Sequence, residues 1–163
     1  MNIETERLVL RPLRAEDLAV LTENLPALEK KFEAVYDATP LDGFYLDILK
    51  EQISLTEKAG DDYIYNTFWF VTDREKKIIV GAVCFKGLEN NTVEIGYGLG
   101  EKYEGYGYMT EAVRKICSFA LENKAEKIIA YTDKDNVKSE NVLKRCGFEK
   151  IGEEDEVLWE LKR

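Results

Sequence analysis

The sequence predicts one mixed α/β (α+β) domain, a central and mostly antiparallel sheet of about seven strands flanked by about four helices. Three observations point there. The chain has 163 residues, close to the size of one domain, and is 45% apolar, as a chain that buries a core must be. No internal repeat, low-complexity tract or Pro/Gly/Ser-rich linker divides residues 1–163. The order of predicted elements is an antiparallel meander followed by strand, helix, strand, helix, strand.

Each element has its own warrant. In "TERLVLRPL" inward Leu8 and Leu10 alternate with outward Arg7, Val9 and Arg11, which suits a short strand closed by Pro12. "RAEDLAVLTENL" repeats apolar residues at helical spacing through Leu18, Leu21 and Leu25. "FYLDILKEQISLTEKAG" does the same through Leu46, Leu49 and Ile53 before a glycine stop, with Pro26 and Pro40 marking breaks between these helices. Residues 67–72, 77–85 and 92–99 are β-rich and are joined by turns at Asp73 to Lys76 and at Gly87 to Asn91. "MTEAVRKICSFALENK" is helical, with Ala112, Val113, Ile116, Ala120 and Leu121 on one side. "KIIAYT" is a short buried strand, "NVKSENVLKRCG" a helix ended by Gly147, and "FEKIGEEDEVLWELK" two last strands around an acidic turn.

Composition excludes several functions. Histidine is absent, and Cys84, Cys117 and Cys146 are scattered with no CxxC pair, which argues against a metal site and a histidine-based triad. Cys84 and Cys117 fall on apolar stretches and read as small buried hydrophobes with reduced thiols. The start "MNIETERLVLRP" has neither the basic opening nor the apolar run of a signal peptide, and no stretch is apolar enough for a membrane span, so a soluble cytoplasmic protein is expected. The net charge of −9 opposes a nucleic-acid partner. That charge is uneven: residues 1–99 carry 11 basic and 18 acidic residues (−7), 100–150 carry 10 and 9 (+1), and 151–163 carry 2 and 5 (−3). The acidic half either draws a cationic substrate or only keeps the chain soluble.

The stretch "EKYEGYGYMTEAV" puts Gly105 and Gly107 at the mouth of a helix, where Ser, Asp or Asn usually cap. A helix start exposes unbonded N–H groups and the positive end of the helix dipole, and glycines let an anion reach them. A phosphate cradle and a plain loop both fit the glycine pair taken alone. GxGxxG is incomplete here, and GK[ST] is lacking.

The surroundings add a resemblance. Lys102-x-x-Gly105-x-Gly107, after "VEIGYGL" and before a helix, resembles the acyl-CoA-binding signature of the GNAT superfamily of N-acyltransferases, in which Arg or Gln usually opens the motif. Asn136-x-x-Ser139 with Val142 and Gly147-Phe148 resembles that superfamily's second signature in its ribosomal-protein N-terminal acetyltransferase branch (RimJ/RimL-like), and "IETERLVLRPLRAEDL" is similar to that branch's first strand and helix. The resemblance implies a single acyl-CoA N-acyltransferase domain over 1–163, splayed between the strands at 92–99 and 127–132. It also implies direct transfer of an acetyl group from acetyl-CoA to a primary amine. Ile95, Gly96, Tyr97, Gly98 and Leu99 would follow the cofactor's amide-rich arm. Lys102, Tyr103, Gly105, Tyr106, Gly107, Tyr108 and Met109 would hold its pyrophosphate, and Asn136 and Ser139 would also touch it. A kink in the strand is the other reading of Gly96 and Gly98, and helix capping that of Asn136.

With no histidine, a carboxylate is the candidate to collect the amine's proton, directly or through water. Glu94, at the head of the strand that would carry the acyl group, is the first candidate, against a solvated charge. Glu104 is a rival, poorly placed beside a phosphate loop. Many superfamily members carry a tyrosine acid where this sequence has Leu143; resemblance to the branch that credits the serine of Asn-x-x-Ser with the acid role implies that role for Ser139, against helix capping or cofactor contact. Deprotonating a lysine-type amine at pH 7 costs about 4.6 kcal/mol and an α-amine about 1, which favours a peptide N-terminus, while polyamines or aminoglycosides suit the acidic half. Aromatics in "FYLDI" and "DDYIYNTFWF" either line the acceptor cleft or belong to the core. Monomer and homodimer stay open, as does a CoA-binding sensor that has lost turnover or a purely structural role.

Overall fold

A computed structural model describes residues 1–163. One sheet of nine strands organises the chain. β1 (Ile3–Glu4) and β2 (Leu8–Pro12) begin it, followed by α1 (Ala15–Glu23), α2 (Leu25–Phe32), β3 (Val35–Tyr36) and α3 (Gly43–Lys58). A 3₁₀ turn (Gly60–Tyr65) leads to the meander β4 (Asn66–Asp73), β5 (Ile78–Glu89) and β6 (Thr92–Leu99). A second 3₁₀ turn (Glu101–Tyr103) then precedes α4 (Tyr108–Glu122), β7 (Lys127–Asp133), α5 (Val137–Arg145), β8 (Glu149–Glu153) and β9 (Glu156–Lys162). The spatial order is β1-β2-β4-β5-β6-β7-β9-β8, with β3 beside β5. Only β6–β7 and β3–β5 pair in parallel.

Three details differ from the sequence-based expectation, each for a local reason. Pro26 starts a helix instead of only breaking one: it sits in the first turn of α2, where a missing N–H costs nothing, and the Asn24 side chain caps that helix by accepting from Ala27 N–H. Leu25 therefore belongs to α2 and not to α1. β5 runs through Gly87 to Glu89, because the tight turn needing positive φ is made by Asn90 and Asn91 (φ 50° and 58°). β1 and β3, two residues each, are too short for any periodicity to reveal.

The sheet separates two cores. Leu13, Leu18, Leu21, Leu28, Leu49, Phe68, Phe70, Ile79 and Ala82 pack between the sheet and α1–α3. Leu8, Leu10, Trp69, Val83, Phe85, Val93, Ile95, Ile116 and Ile128 pack on the opposite face with α4 and α5. α4 turns Tyr108, Met109, Ala112, Val113, Ile116, Cys117 and Ala120 onto that face, which explains its helical apolar spacing.

One topological feature positions the site. β6 and β7 pair only at Thr92–Lys127, Val93–Ile128 and Glu94–Ile129. Beyond Glu94, β6 stays bonded to β5 as far as Leu99, whereas β7 continues against β9 as far as Asp133. The two strands splay, leaving residues 95–99 of β6 without a partner on that edge. Inside the wedge, Tyr97 of β6 meets Ser139 of α5: the serine Oγ donates to the phenol oxygen at 2.8 Å, and the phenol donates to the Ser139 carbonyl at 2.9 Å.

Candidate active site

Alternation along β6 sends Val93 and Ile95 into the α4-side core and Gly96 and Gly98 to the other face. A Cβ on Gly96 would lie 3.1 Å from Cys84 Sγ and 3.3 Å from Lys86 Cε, and one on Gly98 would face Thr39 Oγ1 at 3.7 Å. On this face a cleft of about 650 Å³ opens between α3 and the sheet. Its wall includes Thr39, Tyr45, Gln52, Phe68, Gly96, Gly98 and Tyr131, and its charges are Glu51, Lys86, Asp133 and Glu156. Phe68 is thus both core and cleft wall, whereas Trp69 is wholly buried on the other side.

A second cleft, of about 640 Å³, lies across the wedge between the 104–110 turn and α5. It is lined by Leu99, Gly105, Gly107, Tyr108, Met109, Lys138, Val142 and Arg145, among others. Tyr97, Gly98, Asn136 and Ser139 line both clefts and form the neck between them.

The helix mouth in that second cleft is open. Gly107, in the left-handed region at φ 78°, is the N-cap of α4 and offers no side chain to it. The first intrahelical bond runs from Glu111 N–H to the Gly107 carbonyl, and the backbone N–H groups of residues 105–110 have no acceptor within the chain. Such donors, at the positive end of a 15-residue helix, bind phosphate oxygens. Arginine surrounds the same mouth: Arg7, Arg114 and Arg145 line a polar groove with Thr5, Gly107 and Thr110.

Arg7 also fixes the turn. Its Nη1 donates to the Tyr106 carbonyl at 2.8 Å, its Nε to Glu111 at 2.7 Å, and its guanidinium lies 4.7 Å over the Tyr108 ring. Glu111, in the first turn of α4, further accepts from Thr5 Oγ at 2.5 Å and Arg7 N–H at 3.0 Å. Burial opposes the charge on Glu111, yet these three donors hold its carboxyl below the ordinary value. The other side of the turn rests on Asp73, which accepts from Glu75 and Lys76 N–H and from the Tyr108 hydroxyl at 2.7 Å.

The residues singled out from sequence fall into place unevenly. Gly105, Gly107, Tyr108, Met109, Leu99, Asn136 and Ser139 converge on the second cleft, and Ile95, Gly96, Tyr97 and Gly98 reach the first. The Lys102 ammonium and the Tyr103 hydroxyl are both bound to Asp37, at 2.8 and 2.5 Å, and they hold that carboxyl below its usual range. Tyr106 offers its carbonyl to Arg7 while its ring is exposed. Asn136 caps α5 by accepting from Ser139 N–H at 3.1 Å. Glu94 is paired with Lys86 at 3.1 Å and lines neither cleft, whereas Glu104, paired with Lys138 at 2.5 Å, lines the second. Leu143 is wholly buried in the α4-side core, far from any role in proton transfer. Cys84 is half-buried at the cleft wall instead of fully inside, and burial pushes its thiol up to about 11, so it is not a nucleophile at neutral pH.

Sequence reasoning missed Arg7, Arg145, Glu51, Asp133 and Glu156, because nothing local marks a charged residue as facing a cleft. No helix is long and apolar enough to cross a membrane.

The sequence pattern of the acetyltransferase (GNAT) domain matches residues 7–149. The chain belongs to the GNAT acetyltransferase family. It is an acetyl-CoA-dependent N-acetyltransferase, and solved structures of this fold include complexes with CoA and with acetyl-CoA. The N-acetyltransferase YjdG of Bacillus subtilis is 31% identical over 83 residues, 49% of each chain. The [ribosomal protein uS5]-alanine N-acetyltransferase of Escherichia coli is 27% identical over 160 residues, spanning 93% of this chain and 80% of that one. The ribosomal-protein-S5-alanine acetyltransferase of Vibrio fischeri has the same fold, with a TM-score of 0.73 at 20% identity over 99% of this chain and 96% of that one. In this GNAT acetyltransferase, an open helix mouth, an unpaired strand edge and a neck form one continuous path, which fits a long ligand carrying phosphate at one end and a thioester at the other.

Proposed function

We propose that this acetyltransferase acts on the α-amine of a peptide N-terminus, in preference to a small cationic amine, by direct attack in a ternary complex. The observation that carries the reading is the meeting of the two clefts at Tyr97, Gly98, Asn136 and Ser139. An acyl group reaching that neck from the phosphate side faces an acceptor entering beside Gly96 and Gly98.

In this reading the N–H groups of 105–110 take the pyrophosphate and the free edge of β6 takes the amide-rich arm. A backbone N–H near Gly96 to Gly98 polarises the thioester carbonyl. Glu94 receives the amine's proton through water, on the same face of β6 as Gly96. Ser139, at the positive end of α5, faces the departing sulfur. Glu51, Asp133 and Glu156 have no cationic partner within ion-pair distance, and they attract the ammonium form of the acceptor to the cleft. A carboxylate base in a chain without histidine is matched to an amine of low pKa, since an α-amine needs about 1 kcal/mol to lose its proton at pH 7 and a lysine-type amine about 4.6. The E. coli enzyme named for an alanine N-terminus supports the same acceptor class.

Thiol release from acetyl-CoA tests this against alanine- and serine-initiated peptides, spermidine and an aminoglycoside. Peptides with a free α-amine should be turned over with the highest kcat/KM and N-blocked peptides not at all. Turnover confined to spermidine or the aminoglycoside would overturn the peptide assignment.

A further inference from the structure

The Tyr97–Ser139 contact does more than close the neck. We propose that Tyr97 is a positioning residue, whose phenol holds the Ser139 hydroxyl at the neck and, as the thioester opens, donates to that hydroxyl so that Ser139 can turn its own proton onto the departing sulfur. The proposal rests on the acetyltransferase reading of the cleft and adds a residue to it.

The geometry is specific. A serine hydroxyl has one proton, and that of Ser139 is committed to the Tyr97 oxygen at 2.8 Å. The phenol's single proton is committed to the Ser139 carbonyl at 2.9 Å. Both residues line both clefts, so the pair stands where the acyl group must sit. Ser139 cannot drift, because α5 is capped by Asn136 through the Ser139 N–H itself. Leu143, wholly buried, leaves Tyr97 and Ser139 as the only hydroxyl-bearing residues common to the two clefts.

Rotation about the serine Cβ–Oγ bond frees its proton for sulfur, and the phenol can then shift its own proton from the carbonyl to Oγ. The resulting chain, phenol to hydroxyl to sulfur, is one in which each hydrogen bond polarises the next. In the reaction the amine nitrogen bonds to the carbonyl carbon, and the C–S bond breaks with its electron pair going to sulfur. The amine proton leaves towards Glu94, and the thiolate takes a proton from solvent after release. No proton moves from Tyr97 to sulfur: burial pushes the phenol up to about 12, well above an ordinary thiol, so the transfer is uphill. The pair therefore acts by hydrogen bonding alone.

The test is a double-mutant cycle of Tyr97→Phe and Ser139→Ala in the full chain, with saturating acetyl-CoA and the best acceptor of the peptide and amine panel. Tyr97→Phe should lower kcat up to about tenfold, the worth of one hydrogen bond, with KM for acetyl-CoA within about twofold of wild type. In the Ser139→Ala background it should cost nothing further. Wild-type kcat in Tyr97→Phe, or losses that multiply, would overturn the proposal. No turnover by the wild type with any acceptor of the panel would remove the proposed acceptor class and direct attack at the neck, and Tyr97 with them, whereas turnover that Tyr97→Phe leaves intact removes Tyr97 alone. If Tyr97→Phe fails to fold, a ring-fluorinated tyrosine at 97 keeps the shape and makes the phenol more acidic. As a stronger donor to Ser139 Oγ, the fluorinated phenol should change kcat at pH 7 in the Ser139 background and not in Ser139→Ala, and an unchanged kcat in the Ser139 background would be decisive against the role.

Discussion

Removing the Arg7 side chain tests how the turn over residues 104–110 is held. Arg7→Ala deletes a bond to Glu111 at 2.7 Å, a bond to the Tyr106 carbonyl at 2.8 Å and a guanidinium 4.7 Å over Tyr108. A charge-assisted bond is worth about 1.5–3 kcal/mol, but the Arg7 and Glu111 side chains are 40% and 21% exposed, which brings the pair to about 1. The carbonyl bond adds about 0.5 and the cation–π contact about 0.5. Glu111 keeps Thr5 Oγ and the Arg7 N–H, so no buried charge is orphaned. The total is about 2 kcal/mol, or a melting temperature lower by about 4–8 °C for a chain of this length. With the turn loosened and one positive charge gone from the helix mouth, the dissociation constant for CoA should rise about tenfold, equivalent to about 1.4 kcal/mol. Calorimetric titration with CoA reads this without any acceptor. Arg7→Lys keeps the charge but not the fork and should fall between wild type and Arg7→Ala. CoA binding by Arg7→Ala at wild-type strength would refute the link between this side chain and the phosphate seat.

Three further outcomes follow from the geometry. Glu111 and Asp73 are both held below their ordinary values of 4.5 and 3.8, each against its own burial. Their stabilisation is therefore present at neutral pH and lost as pH falls below about 4.5 through the folded values, so Glu111→Gln should flatten the drop in urea midpoint between pH 5 and 3, and an unchanged slope would contradict it. Gly96→Val must displace Cys84 and Lys86, costing about 1–3 kcal/mol in urea unfolding and narrowing the cleft beside α3, whereas Gly105→Ala meets no atom within 4 Å and should cost only about 1 for its φ of 84°. Glu94→Gln should lower kcat at pH 7 by about a hundredfold or more with CoA affinity unchanged by titration, and a variant with wild-type kcat would remove Glu94 as the base.

Local pattern made the parts of this site legible and left their contacts hidden. Gly105 and Gly107 stand out at a helix start because capping side chains usually sit there, and the alternation in "VEIGYGL" puts Gly96 and Gly98 on the face opposite the core residues Val93 and Ile95. Leu18, Leu21, Leu49 and Ile116 are buried where their spacing requires. Arg7 shows only as an outward residue of a strand, since its partner Glu111 is 104 positions away. The Tyr97–Ser139 pair spans 42 positions, and the Lys102 ammonium turns to Asp37, 65 positions earlier. Asp133 and Glu156 reach one cleft because β7 and β9 set them opposite each other in antiparallel register. These are tertiary facts, decided by pairing and packing, to which periodicity is blind.

A crystal structure with CoA bound measures the central claim most directly. The pyrophosphate should sit on the backbone N–H groups of residues 105–110, the pantetheine arm should run along residues 95–99 of β6, and the sulfur should lie at the neck beside Tyr97 and Ser139. Phosphate density away from the start of α4, or a thiol outside that neck, would contradict the account.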